Sequence, residues 1–143
     1  DLFDVHAPRH YSGFRAYSRS KLCNLLFTYE LAHRLEGTGV TANALHPGLV
    51  ATNILTNNGI LGRFLNMLLG IRGISVEAGA LTSVYAASSP EMEGVSGKYL
   101  DKKKIVRSSA RSFDEAQAAA LWELSASLTG IPAETGIPSP AAS

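Results

Sequence analysis

Tyr17 and Lys21 stand four residues apart in the stretch Phe14-Arg15-Ala16-Tyr17-Ser18-Arg19-Ser20-Lys21. On a helix that spacing puts both side chains on one face, a turn apart. A free phenol titrates near pH ~10, too high to exchange protons usefully at neutrality. A cation a few ångströms away favours the phenolate, and general acid–base chemistry depends on tuning of this kind. The pair is a candidate proton donor and acceptor. Alone, the spacing is common on helix surfaces, so the elements around it must decide between a surface pair and a site.

Those elements read as α/β. From about Gly13 to Leu35, residues Leu22, Leu25, Leu26, Tyr29, Leu31, Ala32 and Leu35 recur at the three- and four-residue intervals of a helix. Gly37 and Gly39 end it, with His33 and Arg34 in a last turn where cations suit the dipole. Val40 to Leu45 reads as a short strand, stopped by Pro47 and Gly48. Helix, glycine turn and strand in succession fit an αβ unit of a parallel sheet. Ser75 opens a second helix, Val76 to Ser88, with Pro90 just past its end. Gly97 to Leu100 reads as a second strand, extended again at Ile105-Val106. Ser112-Phe113-Asp114-Glu115 has the form of a capping box before a third helix, Ala116 to Leu128, closed by Gly130 and Pro132. Thr52 to Gly73 reads as irregular or as short helices. Two strands are too few for a self-sufficient sheet, so the expected architecture is the second half of a larger one.

The chain of 143 residues is 45% hydrophobic and 17% charged, the profile of one soluble domain with a real core. A net charge of +1 exerts no global pull on nucleic acid, and no nucleic-acid partner is expected. The basic run Lys102-Lys103-Lys104 with Arg107 reads as a solvated edge or turn. A single cysteine, Cys23, excludes an internal disulfide framework and fits a reducing, cytoplasmic compartment. The opening Asp1-Leu2-Phe3-Asp4 has neither signal-peptide character nor an initiator methionine, which leads to the expectation of a fragment or processed chain. The longest apolar stretch, Phe64 to Ile71, is too short to span a bilayer. No zinc-ligand spacing, Walker loop or G-x-S-x-G elbow occurs, and no metal is expected.

Tyr17-x-x-x-Lys21, the long helix that contains it, the strand Val40-Thr41-Ala42-Asn43-Ala44-Leu45 and then His46-Pro47-Gly48-Leu49-Val50-Ala51-Thr52 follow one another in a single order. That series resembles the short-chain dehydrogenase/reductase family. The finer pattern, Tyr17-Ser18-Arg19-Ser20-Lys21-Leu22-Cys23-Asn24, Phe27-Thr28-Tyr29-Glu30-Leu31, Ala80-Leu81-Thr82, Gly97-Lys98-Tyr99 and Ala120-Leu121-Trp122-Glu123-Leu124-Ser125, resembles its retinol-dehydrogenase-like branch. The resemblance implies an α/β fold that is the C-terminal half of a Rossmann-like, doubly wound parallel sheet, incomplete in this chain. That half would occupy residues 1–132, followed by a disordered tail at 133–143.

The resemblance also implies roles. Tyr17 matches the general acid/base, and Lys21 the residue that tunes the tyrosine and hydrogen-bonds the nicotinamide ribose. Pro47 and Gly48 match the turn that lets backbone approach the cofactor. Val50 matches the position whose backbone meets the carboxamide, and Thr52 the hydroxyl near carboxamide and pyrophosphate, although Thr52 also suits a helix cap. His46 reads as structural, and Ser18 and Ser20 as helix-surface residues. The implied cofactor is NADP or NAD, with NADP favoured by the family alone. The family's Gly-rich fingerprint is absent, since Gly59-Ile60-Leu61-Gly62 and Gly70-Ile71-Arg72-Gly73 do not fit it. The catalytic serine and asparagine are expected upstream of Asp1, and the chain alone is expected to be inactive. The apolar segment Ile54 to Ile74 matches the family's substrate lid and suits a lipophilic alcohol, aldehyde or ketone. It could equally be a helix packed on the core. Peripheral membrane contact through Phe64, Leu68 and Leu69 and a homo-oligomer built on the Gly13–Leu35 helix are the partner expectations. The rival reading is a noncatalytic truncated remnant that serves as an interaction module.

Overall fold

The computed structural model of the chain describes residues 12–48, 75–134 and 137. It divides into two compact units, one built from the chain up to Ala44 with Gly94–Lys98 and the chain from Arg107 onward, the other from Leu45–Glu93 and Tyr99–Val106. The expected Val50 and Thr52 roles, the irregular stretch 52–73, the apolar lid 54–74 and most of the tail 133–143 lie outside the described residues.

In the first unit, α1 (Gly13–Arg34) lies against α3 (Glu115–Thr129). The contact is made by the apolar side of α1 that the periodicity marks. Leu26 is 0% exposed and packs on Ala118 and Leu121, with Leu22 and Cys23 closing around them. One helical turn on, Glu30 is buried as well. A carboxylate taken from water needs a charged partner, and Arg34, one turn further on, supplies it through Nε at 2.7 Å. The same guanidinium lies 4.8 Å from the centre of the Trp122 ring and reaches Glu123 at 3.5 Å and Glu134 at 3.8 Å. Trp122 stacks on Phe27 at 4.9 Å and donates its indole N–H to the carbonyl of Ala133.

Two boundaries move from their expected places. The first strand, β1, runs Ala44–His46 instead of beginning at Val40. Asn43 is the cause. Its side-chain amide donates to the carbonyl of Val95 at 2.7 Å, and its Oδ1 accepts from the backbone of Lys98 at 2.9 Å. Ala42 likewise donates to a hydroxyl, that of Ser96. Side chains thus carry part of the pairing up to Asn43, beside one backbone bond from Gly97 N–H to the Ala42 carbonyl, and the strand itself begins where Ala44 N–H meets the Lys98 carbonyl. The cap of α3 moves as well. Ser112 sits inside a short 3-10 turn (Ala110–Phe113), fully buried, and donates to the carbonyl of Ser109. Asp114 is the N-cap, and its carboxylate accepts from the backbone N–H of Gln117 at 3.0 Å and from the Gln117 side-chain amide. A charged acceptor suits a helix N-terminus. Gly130, at φ 69°, closes the helix in the left-handed region where glycine carries no Cβ penalty.

In the second unit, Ser75 caps α2 (Val76–Ser88) by accepting from Ala78 N–H. A 3-10 turn (Pro90–Met92) follows, and then β2 (Tyr99–Asp101) and β3 (Lys104–Val106). The strands are ordered β1-β2-β3, and Leu100 at the centre of β2 is completely buried. The expectation of an all-parallel sheet fails at β3, which runs antiparallel to β2 in the register Tyr99↔Val106, Leu100↔Ile105, Asp101↔Lys104. Only Lys102 and Lys103 connect the two strands, and a parallel crossover needs a dozen or more residues. Both connecting lysines have positive φ, 50° and 63°, the signature of the tight turn whose twist matches paired strands.

Leu26→Ala removes the centre of the α1–α3 contact and should lower stability by about 2–5 kcal/mol, read as a shift of the urea midpoint at unchanged slope. A loss under about 1 kcal/mol would show that this contact is not the core of the first unit.

Candidate functional site

α1 brings Tyr17 and Lys21 together as their spacing requires. The Lys21 ammonium lies 5.4 Å from the centre of the Tyr17 ring. The pair stands on the solvent side of the helix, opposite the face that buries Leu26. Tyr17 is 61% exposed, and among the described residues its phenolic hydroxyl has no hydrogen-bond partner. Ser20, one of the serines flanking the pair, turns its hydroxyl back onto the helix and donates to the carbonyl of Tyr17 at 2.8 Å. The phenol and the ammonium both face outward and can meet a ligand. The donor chemistry suits the nicotinamide-ribose end of a dinucleotide, since an ammonium donates to ribose hydroxyls and a phenol can exchange a proton.

Pro47 and Gly48 directly follow β1, in the second unit. Gly48 has φ 85°, a conformation that an L side chain rarely adopts, so the turn after the strand requires glycine on backbone grounds alone. Val50 and Thr52 lie outside the described residues.

The structure also assembles groups that the periodicity registered only as helix positions or punctuation. The Tyr29 hydroxyl is 2.6 Å from Ser108 Oγ, and Ser108 Oγ is 2.6 Å from Ser112 Oγ. The Tyr29 ring stacks on Phe113 at 5.3 Å, and the Arg107 guanidinium lies 5.6 Å from the Phe113 ring centre. Tyr29, Ser112 and Phe113 line one side of an open groove of about 570 Å³ that continues past His33, Gly97 and Ala118. Tyr17 is not part of it, because Tyr29 lies about 18 Å further along the helix axis. Nothing in local sequence foretold this hydroxyl chain, whose members are 79 residues apart in the chain.

Cys23 lies half-buried beside the Leu26 cluster. Burial pushes its thiol above the usual range, and the nearby Arg19 charge and its own backbone N–H oppose that only in part.

The chain is homologous to the short-chain dehydrogenases/reductases of the retinol-dehydrogenase branch and matches a C-terminal part of them. Human retinol dehydrogenase 14 is 42% identical over 138 residues, covering 90% of this chain and 39% of the relative. Mouse retinol dehydrogenase 12 is 43% identical over 128 residues, covering 90% of this chain and 40% of the relative. Human polyprenol dehydrogenase is 38% identical over 134 residues, covering 92% and 41%. The chain thus spans about two-fifths of the length of the curated relatives it matches. By their names these relatives are oxidoreductases. No protein-family model matches the chain. Among the described residues no helix is long and apolar enough to cross a membrane.

The raised Cys23 thiol has two readouts. At neutral pH, iodoacetamide should alkylate Cys23 severalfold more slowly in the native chain than after denaturation in urea. Because the folded-state value lies above the unfolded one, the associated stability is complete below the ordinary thiol range. It is lost as pH rises through that range toward the folded value. Equal alkylation rates in native and denatured chains would contradict the burial of this thiol.

Proposed function

We propose that the chain is the catalytic segment of an NAD(P)-dependent oxidoreductase that interconverts a lipophilic alcohol with its aldehyde or ketone. The observation that carries this reading is the Tyr17–Lys21 pair, turned to solvent on α1 with its phenol unpartnered among the described residues. Homologues named for retinol and polyprenol support the lipophilic substrate. They also support a Rossmann-like fold of which this chain supplies the C-terminal half.

A bound nicotinamide would supply or accept the hydride. Every other task falls to side chains. Tyr17 gives its phenolic proton to the carbonyl oxygen on reduction and takes the hydroxyl proton on oxidation. Lys21 holds positive charge beside the phenol and donates to the ribose hydroxyls. Pro47 and Gly48 form the turn that lets backbone approach the cofactor, with Val50 and Thr52 in the roles that the resemblance implies. NADP is favoured over NAD by the family alone. The chain has no Gly-rich phosphate cradle, so by itself it holds too little of a dinucleotide site to turn over. Peripheral membrane contact and a homo-oligomer through α1 remain part of the proposal.

A chimera tests this. The purified 143-residue chain should show no NAD(P)H oxidation with retinal or a long-chain aldehyde. Joined behind the N-terminal portion of human retinol dehydrogenase 14, it should support turnover. Tyr17→Phe in that chimera should lower kcat by roughly 10²–10⁴-fold while leaving cofactor affinity nearly unchanged, because only the phenolic proton is removed. A chimera that folds and binds NADP but retains kcat with Tyr17→Phe would take Tyr17 out of the mechanism. A folded, cofactor-binding chimera with no turnover at all would favour the noncatalytic module.

A further inference from the structure

Ser18 lies on α1 between the two residues of the pair. Its side chain is exposed, and its hydroxyl has no hydrogen-bond partner among the described residues. Ser20 differs, because its hydroxyl is held by the carbonyl of Tyr17. Arg15, Arg19 and Lys21 all stand within three residues of Ser18. No aspartate or glutamate occurs between Asp4 and Glu30. An anion placed on Ser18 therefore meets only cations among the charged residues of its own segment. Arg15 and Lys21 lie three residues to either side, a spacing at which helix side chains adjoin.

The start of α1 is also open to an enzyme. Ser12, the N-cap, makes no side-chain cap bond, and the first turn carries no acidic residue to suit the dipole. Every side chain from Ser12 to Lys21 is exposed except Ala16 and Arg19, which are partly buried, and the packed cluster begins only at Leu22. A helix end that is neither capped nor packed opens at little cost in free energy. Arg15-Ala16-Tyr17-Ser18 can then be presented in extended form, with arginine three residues before the acceptor, to a kinase that reads basic charge patterns.

We propose that Ser18 is a phosphorylation site, and that its phosphate captures the Lys21 ammonium and so disables the Tyr17–Lys21 pair. Ser18 Oγ bonds to the γ-phosphorus of ATP as the bond to the β–γ bridging oxygen breaks. ADP leaves, and the hydroxyl proton passes to the base of the kinase. Near neutrality the product carries a charge of about −1.5 to −2 and strong acceptor oxygens. Lys21, which otherwise lies 5.4 Å from the Tyr17 ring centre, turns to that charge. The ribose of a dinucleotide then loses its donor. The modification stands apart from the oxidoreductase reading, whereas its effect on cofactor binding rests on it.

The test begins with the purified full chain, incubated natively with calmodulin-dependent protein kinase II and MgATP, the phosphate being mapped by mass spectrometry. Ser18 should be modified, and Arg15→Ala should slow the modification severalfold. Phosphorylation should also slow acetylation of Lys21 by acetic anhydride severalfold, with the exposed Lys98 as unaffected reference. In the chimera with the N-terminal portion of human retinol dehydrogenase 14, Ser18→Glu should weaken NADP binding roughly tenfold or more, the loss of one hydrogen bond to a charged donor. Ser18→Gln, of equal size and neutral, should bind NADP as the unchanged chimera does. No phosphate on Ser18, whether the chain stays unmodified or only Ser12 or Ser75 is modified, would overturn the proposal; both of those serines also follow an arginine by three residues. An unchanged rate of Lys21 acetylation would overturn it too, as would equal NADP affinity of the Glu and Gln variants. A chimera that binds no NADP before any change sinks the oxidoreductase reading instead, and mapping and acetylation then decide the proposal by themselves.

Discussion

Leu26 stands on the helix that carries Tyr17 and Lys21, on the opposite side, wholly buried against Ala118 and Leu121 of α3. Everything the first unit presents depends on this seam. A helix of 22 residues is marginal in water unless an apolar face is packed, and α1 owes its definition to α3. The seam also sets rotation: once Leu22, Cys23 and Leu26 point into α3, Tyr17 and Lys21 must point out. The candidate proton donor is positioned by a hydrocarbon contact two turns away.

The polar end of the same seam is built differently. Glu30, Arg34 and Trp122 form a unit in which no member is satisfactory alone. The buried carboxylate requires the guanidinium, and the guanidinium spreads over the indole face. Such an arrangement contributes to stability only while all partners are present, since removing one leaves a charge without compensation. Arg34 also ties the last turn of α1 to the middle of α3 through Glu123 and to the segment after α3 through Glu134. Apolar packing near the middle and a charge–aromatic clamp near the end restrain sliding as well as separation.

The tip of the hairpin shows the opposite economy. Lys102 and Lys103 occupy positions suited to glycine or asparagine. The hairpin forms regardless, because Leu100 is buried at the centre of β2 and Ile105 is held opposite it. A locally disfavoured turn is carried by strands whose register is set elsewhere. The site face of α1 and the basic tip are both exposed features held by buried neighbours.

The helices were legible in the sequence to within a residue or two, since a 3.6-residue period and terminal glycines act locally. The Tyr17–Lys21 pairing followed directly from helical spacing. The rest was not legible, for identifiable reasons. Asn43 looks like an ordinary strand residue, but its amide replaces ladder bonds to Val95 and Lys98, partners more than fifty residues away. Ser112 fits a capping box by pattern, yet burial against Ser108 and Tyr29 draws it into the preceding turn and leaves the cap to Asp114. A lysine pair gives no turn signal, so the antiparallel return of β3 could not be foreseen. By itself the sequence determined which residues lie on which side of each helix and that phenol and ammonium adjoin, because these follow from backbone periodicity. Tertiary structure alone decided which side turns to solvent, where the ladder begins and what the lysines crown, because those depend on side chains that meet only after the chain has folded.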